Sequence, residues 1–323
     1  MAASLHILTG GDYLAIVRTD VPMTSDLCEQ TIMGLTETYP FLRTQVLTTT
    51  AFGRPLRTLV IGEGERKVIY SASHHANEWI TTPVLLKFAE ELAGAVQNQG
   101  RLYGVAARNI IRAATIHIVP MVDPDGVDLV TGAIEPGTLE YETARRIGDN
   151  FPNIPFPEGW KANLLGVDLN LQYPAGWLQA REIKFSQGFT RPAPRDYVGR
   201  SPLSQRESIA LADYTERIDP ALVLAYHSQG KVIYWQFRDY DVPGAQALAE
   251  EFARLSGYAL EDTPYASSFA GYKDWFIQNW RRPGFTIECG SGDNPLPLSQ
   301  FDGIYRDNLG ILVTAALGLP GGN

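Results

Sequence analysis

The chain has little cysteine. Cys28 and Cys289 are the only two in 323 residues, too few for a disulfide framework, and reduced thiols fit them better. Positive charge is also short: 27 Lys and Arg stand against 36 Asp and Glu, a formal charge of −9. That argues against a general nucleic-acid or anionic-membrane binder, which needs a basic footprint, but not against a small anionic substrate in a locally basic pocket. No apolar run reaches the roughly 18 residues of a membrane-spanning helix. The start, MAASLHILTGGDYLAIV, lacks a basic n-region and a cleavage site. The expected compartment is therefore the cytoplasm, with export by another route or a leader already trimmed as the alternative. Internal repeats, low-complexity stretches and long linkers are missing too.

What is present reads as an ordinary globular chain. Apolar residues make up 45%, enough for a sizeable core, and charged residues 20%, too few for a disordered one. The chain is expected to divide into an N-terminal appendage (1–26), one main domain (27–318) and a short tail (319–323). Thr24-Ser25-Asp26 marks the start of a helix running to about Thr38. RTLVI (57–61) and KVIYSAS (67–73) flank GEGE and are expected to form a hairpin. VLLKFAEELAGAV after Pro83 reads as a helix, and 111–122 as a buried strand ending in the turn DPDG. Further helices are expected over 204–218, 244–258 and 272–280, and from about Ser299. Strands are expected over 221–228 and 284–290. Helices alternating with apolar strands imply a three-layer α/β/α fold with a mixed, mostly parallel central sheet. Ligands of such folds gather at the carboxyl ends of the strands.

Five histidines are available: His6, His74, His75, His117 and His227. His75-Ala76-Asn77-Glu78 follows a strand and precedes a helix. On spacing alone this H-x-x-E is either a metal-binding pair or a pair of helix-capping residues. An imidazole and a carboxylate one turn apart can share one Zn²⁺, whose catalytic sites take three protein ligands and keep the fourth position open. His227, at the end of another apolar strand, is the expected third ligand. His74 is a weaker candidate because its own i+3 residue is Asn77. His6 and His117 are read as structural.

HANEW, GVDLN (166–170), AYHSQG (225–230) and FTIECG (285–290) occur in the order seen in zinc carboxypeptidase-like (M14) metallopeptidases. The chain resembles that family over about 27–318. HANEWITTP, GVDLNLQYPAGW, APRDYVG and NPLPLSQFD are similar in particular to the bacterial branch that cuts γ-D-glutamyl-meso-diaminopimelate bonds of peptidoglycan stem peptides. The resemblance implies one Zn²⁺ per chain, held by His75, Glu78 and His227. It implies that Asp168 accepts a hydrogen bond from His75 and fixes its tautomer. Glu288 would be the general base for a zinc-activated water, and Lys161, in Trp160-Lys161-Ala162-Asn163, the donor to the oxyanion. Cys289 faces the opposite side and is read as core.

Substrate-binding candidates follow from the same resemblance. Carboxypeptidases bind a free C-terminal carboxylate with an Asn-Arg pair, but here Asn170 is followed by Leu171, which weighs against strict exopeptidase action. Asn170 can still bond the substrate backbone. Lys273, 15 residues before Glu288, and Asp274 could read the zwitterionic end of meso-diaminopimelate; the bland alternative is a capping Asp274 beside a solvent-facing Lys273. Tyr265 falls near the family's active-site tyrosine. Apart from the resemblance, residues 177–206 carry six basic against two acidic side chains: either a solvated loop with scattered arginines or a site for substrate carboxylates, with Arg195 and Arg200 the leading candidates. The expected partner is a stem peptide containing meso-diaminopimelate, with no nucleic acid and no membrane, and nothing bears on oligomeric state. The alternatives are a zinc amidohydrolase or carboxypeptidase of the same superfamily acting on another acyl-amino acid or acidic peptide, and a non-catalytic domain that binds wall peptides.

Overall fold

The structure is a computed structural model describing residues 15–319. It opens with α1 (Ser25–Thr38), where the Thr24 side chain accepts the Leu27 backbone N–H at 3.2 Å as N-cap. Cys28, Ile32 and Leu35 form its buried face at helical spacing. The described part of the appendage packs on the domain: Val17 and Met23 are in the core, and the Ile16 N–H donates to Glu90 at 2.6 Å. His6 lies outside the described residues.

Among the described residues there are ten strands. They are β1 (Arg43–Thr49), β2 (Pro55–Ile61), β3 (Arg66–Ala72), β4 (Arg101–Leu102), β5 (Val105–Ala106), β6 (Ala114–Val119), β7 (Leu222–Ser228), β8 (Val232–Tyr234), β9 (Ala259–Leu260) and β10 (Gly284–Cys289). β4 and β5 form a separate two-stranded ribbon. The other eight make one sheet in the order β1-β2-β6-β3-β7-β10-β8-β9. Its centre, β6-β3-β7-β10, is parallel, and β1, β2 and β8 pair antiparallel.

Strand side chains alternate between the two faces. Val68 and Tyr70, Leu222 and Leu224, Phe285 and Ile287 enter one core, beneath α2 (Thr81–Gln97) and later helices. Ile69, Val223 and Ala225 enter the other, which holds Leu211 and Tyr214 of a helix over Arg206–Ile218 and Trp275 of one over Tyr272–Trp280. This is the expected three-layer α/β/α sheet fold. His117 is structural, with its Nδ1 2.6 Å from the Tyr214 hydroxyl. Among the described residues, no helix is long and apolar enough to cross a membrane.

Two expectations are corrected. β2 and β3 are strands but not a hairpin, because β6 lies between them, antiparallel to β2 and parallel to β3. The GEGE link therefore crosses the start of β6 instead of turning tightly. A Cβ on Gly62 would sit 2.2 Å from the Ala114 carbonyl oxygen, and one on Gly64 2.3 Å from the Ala113 backbone. The glycines serve this close crossing. The run 111–122 is also shorter as a strand. Ile111–Ala113 ends a helix (Ala107–Ala113), and only Ala114–Val119 pairs in the sheet.

Candidate metal centre

The site is built where β3, β7 and β10 end. β3 gives way at Ser73, a non-glycine residue at φ 49°, in the left-handed region. Three hydroxyl contacts hold it there: its N–H to Thr81 Oγ1 (3.1 Å), and its Oγ to Thr81 (3.3 Å) and Thr82 (2.8 Å). The chain then passes through His74 and His75 into a short 3-10 turn, Ala76–Glu78, which brings Glu78 back beside His75. Behind this turn the DPDG glycine, Gly126, is pressed against Ala76 and the Ala162 carbonyl; a Cβ there would meet Ala76 Cβ at 2.8 Å and Ala162 O at 2.6 Å. The Ala76 N–H donates to Lys161 O at 3.1 Å. The metal-ligand turn and the WKAN segment are thus fixed to each other.

β7 and β10 run parallel in a register that pairs His227 with Glu288. Paired residues on adjacent strands project to the same side, so His227 and Glu288 stand together. His75 Nδ1 lies 3.0 Å from Glu78 Oε1, and His227 Nδ1 lies 2.9 Å from Glu78 Oε2 and 3.3 Å from His75 Nδ1. Ligand atoms of His75, Glu78 and His227 all fall within 4.8 Å of one another.

The tautomers test whether a cation fits. His75 Nε2 is 3.2 Å from Asp168 Oδ1, a carboxylate that can only accept, so Nε2 carries a proton. A neutral His75 would then aim its Nδ1 lone pair at the Glu78 carboxylate, which is repulsive unless a cation or proton sits between. Burial opposes charge on His75, but Glu78 and Asp168 on its two sides outweigh it and hold its pKa up to about 9. The arrangement draws a positive charge to this point, and metal binding would displace that proton. Two imidazoles and a carboxylate are ligands suited to zinc.

Around this centre lies a cavity of about 210 Å³ lined by His75, Glu78, Lys161, Asn170, His227, Tyr234, Thr263, Pro264, Ser267, Gly271, Lys273, Asp274, Thr286 and Glu288. Lys161 Nζ is 2.8 Å from Glu78 Oε1; burial works against its charge, but Glu78 outweighs it and raises its pKa. Burial, then the nearby Glu78 carboxylate, pushes Glu288 up to about 8. Asp168 accepts from His75, from the Asn170 N–H (3.1 Å) and from the Asp196 N–H (3.2 Å). Burial is opposed by His75, and the carboxyl stays below its ordinary value.

The substrate candidates divide. Asn170 lines the cavity, with its Oδ1 accepting the Tyr272 N–H at 3.0 Å and its Nδ2 3.5 Å from His227 Nε2. Lys273 is buried, not solvent-facing: its Nζ meets Asp274 Oδ1 and Gln236 O, both at 2.6 Å. Asp274 both caps its helix, accepting the Gly271 N–H at 3.3 Å, and lines the cavity. Tyr265 stands on the rim segment but is 72% exposed, its ring against Phe269 and not among the lining residues. Arg195 lies beside the site; Arg200 is exposed and does not reach it. His74 is buried, with its ring stacked on His227 at 5.4 Å and, among the described residues, no hydrogen-bond partner for either nitrogen. The sequence reading named neither Thr286 nor Tyr234, and on the 263–267 rim it named Tyr265 where Thr263, Pro264 and Ser267 line the cavity. Thr286, two before Glu288 on the same strand face, had a signal in the period of two.

The zinc carboxypeptidase model (peptidase M14) matches residues 28–310. The chain belongs to the zinc carboxypeptidase family. It is 46% identical over 282 residues to gamma-D-glutamyl-L-diamino acid endopeptidase 1 of Lysinibacillus sphaericus, covering 87% of this chain and 69% of that one. Carboxypeptidase A of Helicoverpa armigera has the same fold, at TM-score 0.70 and 18% identity, over 94% of this chain and 76% of the other. A murein-tripeptide amidase of Escherichia coli O157 aligns at TM-score 0.53 and 19% identity, over 86% of this chain and 93% of the other. The family implies zinc, and the protein is a zinc peptidase.

Proposed function

We propose that this zinc peptidase hydrolyses the amide between γ-D-glutamate and meso-diaminopimelate in peptidoglycan stem peptides. The relative from Lysinibacillus sphaericus carries the corresponding activity in its name. The observation that carries the reading is the far wall of the cavity. It holds a buried cation and a buried anion side by side, Lys273 and Asp274 at 2.6 Å, within a space that also contains Glu288. The far end of meso-diaminopimelate carries one ammonium and one carboxylate, so a wall with both charges matches it in kind. The position after Asn170 is Leu171, 7% exposed and packed with Val198 and Ala270. It offers no cation for a C-terminal carboxylate, so strict carboxypeptidase action is not favoured.

His75, Glu78 and His227 would hold the zinc. When bound, zinc supplies Lewis acidity and makes water acidic enough to attack at neutral pH. Its charge would also draw the Glu288 pKa down from about 8, leaving the carboxylate ionised and ready to accept a proton. Glu288 takes that proton from the attacking water and delivers it to the leaving amine nitrogen. Lys161, which lines the cavity, would neutralise charge developing on the carbonyl oxygen, as a point charge without a bidentate fork. Asp168 holds the His75 ring. Asn170, itself oriented by the Tyr272 N–H, offers its amide to the substrate backbone.

The test is a linkage comparison by mass spectrometry. L-Ala-γ-D-Glu-meso-diaminopimelate should release free diaminopimelate, while the α-linked isomer and a plain C-terminal peptide should stay intact. Preferential cleavage of the α-linked peptide would refute the reading.

A further inference from the structure

A γ-glutamyl linkage leaves the α-carboxylate of the D-glutamate free, on the acyl side of the bond that breaks. On the proposed reading, the cavity with Lys273 and Asp274 takes the diamino acid, and Lys161, the oxyanion donor, stands at the carbonyl of the bond that breaks. The acyl side is then sought along the segment that borders Lys161. Both Lys161 and Ala162 donate their backbone N–H to Pro194 O, at 2.7 and 2.9 Å. The Asp196 N–H donates to Asp168 Oδ2 at 3.2 Å. Arg195 lies between these two anchors, next to the metal centre but not among the residues that line the cavity.

Its side chain is held from one end only. Nε donates to Asp196 Oδ2 at 2.7 Å, and the other Asp196 oxygen holds the buried Lys184 Nζ at 2.6 Å. Asp196 itself sits at φ 64°, a strained position for a non-glycine residue, fixed by these contacts. Neither terminal nitrogen of Arg195 makes a hydrogen bond among the described residues, and the side chain is 41% exposed. A guanidinium oriented through Nε, with its two-pronged end open, is suited to bidentate recognition of a carboxylate.

We infer that Arg195 receives the free α-carboxylate of the γ-D-glutamyl residue and so selects γ-linked, unamidated stem peptides. The inference rests on the proposed γ-D-glutamyl specificity. It is tested with two substrates that differ only there: L-Ala-γ-D-Glu-meso-diaminopimelate and its α-carboxamide counterpart, in which the D-residue is isoglutamine. The wild-type enzyme should favour the carboxylate by at least about tenfold in kcat/KM, mainly through KM, since one charge-assisted pair is lost. Arg195→Gln should bring the ratio close to one at unchanged zinc content, and Arg195→Lys should keep part of the preference. Equal wild-type cleavage of both substrates, or an Arg195→Gln enzyme that keeps the wild-type ratio, overturns the inference alone. So does an equal fall on both substrates in both variants, which would make Arg195 structural. Cleavage of neither substrate by the wild-type enzyme overturns the γ-D-glutamyl reading, and the inference with it.

Discussion

Replacing Asp168 by Asn removes a charge without changing shape, and the structure says what that costs. The carboxylate accepts three hydrogen bonds: Oδ1 from His75 Nε2 and the Asn170 N–H, Oδ2 from the Asp196 N–H. An amide has one oxygen and one NH₂ group. With the oxygen in the Oδ1 place, the bonds to His75 and Asn170 survive, but the NH₂ faces the Asp196 N–H, donor against donor. With the amide flipped, His75 and Asn170 lose their acceptor. The first orientation loses less, yet His75 then faces a neutral oxygen, and a charge-assisted bond is roughly twice as strong as a neutral one. The loss of such a partner typically weakens metal binding by about 10–100-fold, or about 1.4–2.8 kcal/mol. Competition against a chelator of known affinity would measure it, with thermal unfolding of the metal-free protein read separately. Zinc affinity within threefold of wild type, in a variant that unfolds normally, would refute the role given to Asp168.

Other consequences can be checked in parallel. Glu288→Gln should keep one zinc per chain by metal analysis but lower kcat by about 10²–10⁴-fold, and retained turnover would remove Glu288 as the base. Lys273→Met should raise KM for the diaminopimelyl tripeptide more than for one with lysine in that position, since the side-chain carboxylate is missing there; equal effects in steady-state assays would count against the charged wall. Gly126→Ala should destabilise by about 1–3 kcal/mol and weaken zinc binding, because its Cβ would fall 2.6 Å from the Ala162 carbonyl and 2.8 Å from Ala76 Cβ; melting and metal analysis report both. Burial, with Arg43 and Lys67 nearby, lowers His117 from 6.5 to about 4. The unfolded chain therefore binds this proton first, and stability present above pH 6.5 is lost as pH falls toward 4. The gap sets a ceiling of about 3 kcal/mol. Denaturant unfolding at pH 7.5 and pH 5 should show a smaller difference for His117→Gln than for wild type.

The sequence made the site legible where local chemistry is short-range. His75-x-x-Glu78 needs only one turn between a strand and a helix. The register that sets His227 beside Glu288 follows once both are read as ends of parallel buried strands. Thr24 at the start of α1 is a local cap, and it appears where expected. What failed was pairing at a distance. Nothing in RTLVI or KVIYSAS shows that Ala114–Val119 will insert between them, and the glycines of GEGE suit a tight turn as well as a close crossing. Burial of charge was equally hidden. Lys273 could be read as a substrate-facing cation or as a solvent-facing lysine, and its burial shows only where Asp274 and the Gln236 carbonyl meet it inside the protein. Tyr265, suggested by a motif position, stands exposed on the rim segment with its ring against Phe269. The six basic residues of 177–206 did not act as one patch. Lys184 is consumed by Asp196 and Arg200 stays outside, leaving Arg195 beside the centre.

The central claim is that one metal, held by His75, Glu78 and His227, drives cleavage of the γ-D-glutamyl-meso-diaminopimelate bond. Titrating zinc into metal-free protein while following free diaminopimelate from the tripeptide by mass spectrometry tests it most directly. The account predicts release that rises with zinc, saturates at one per chain and stops on chelation. Release that survives chelation, or no release with one zinc bound per chain, would contradict it.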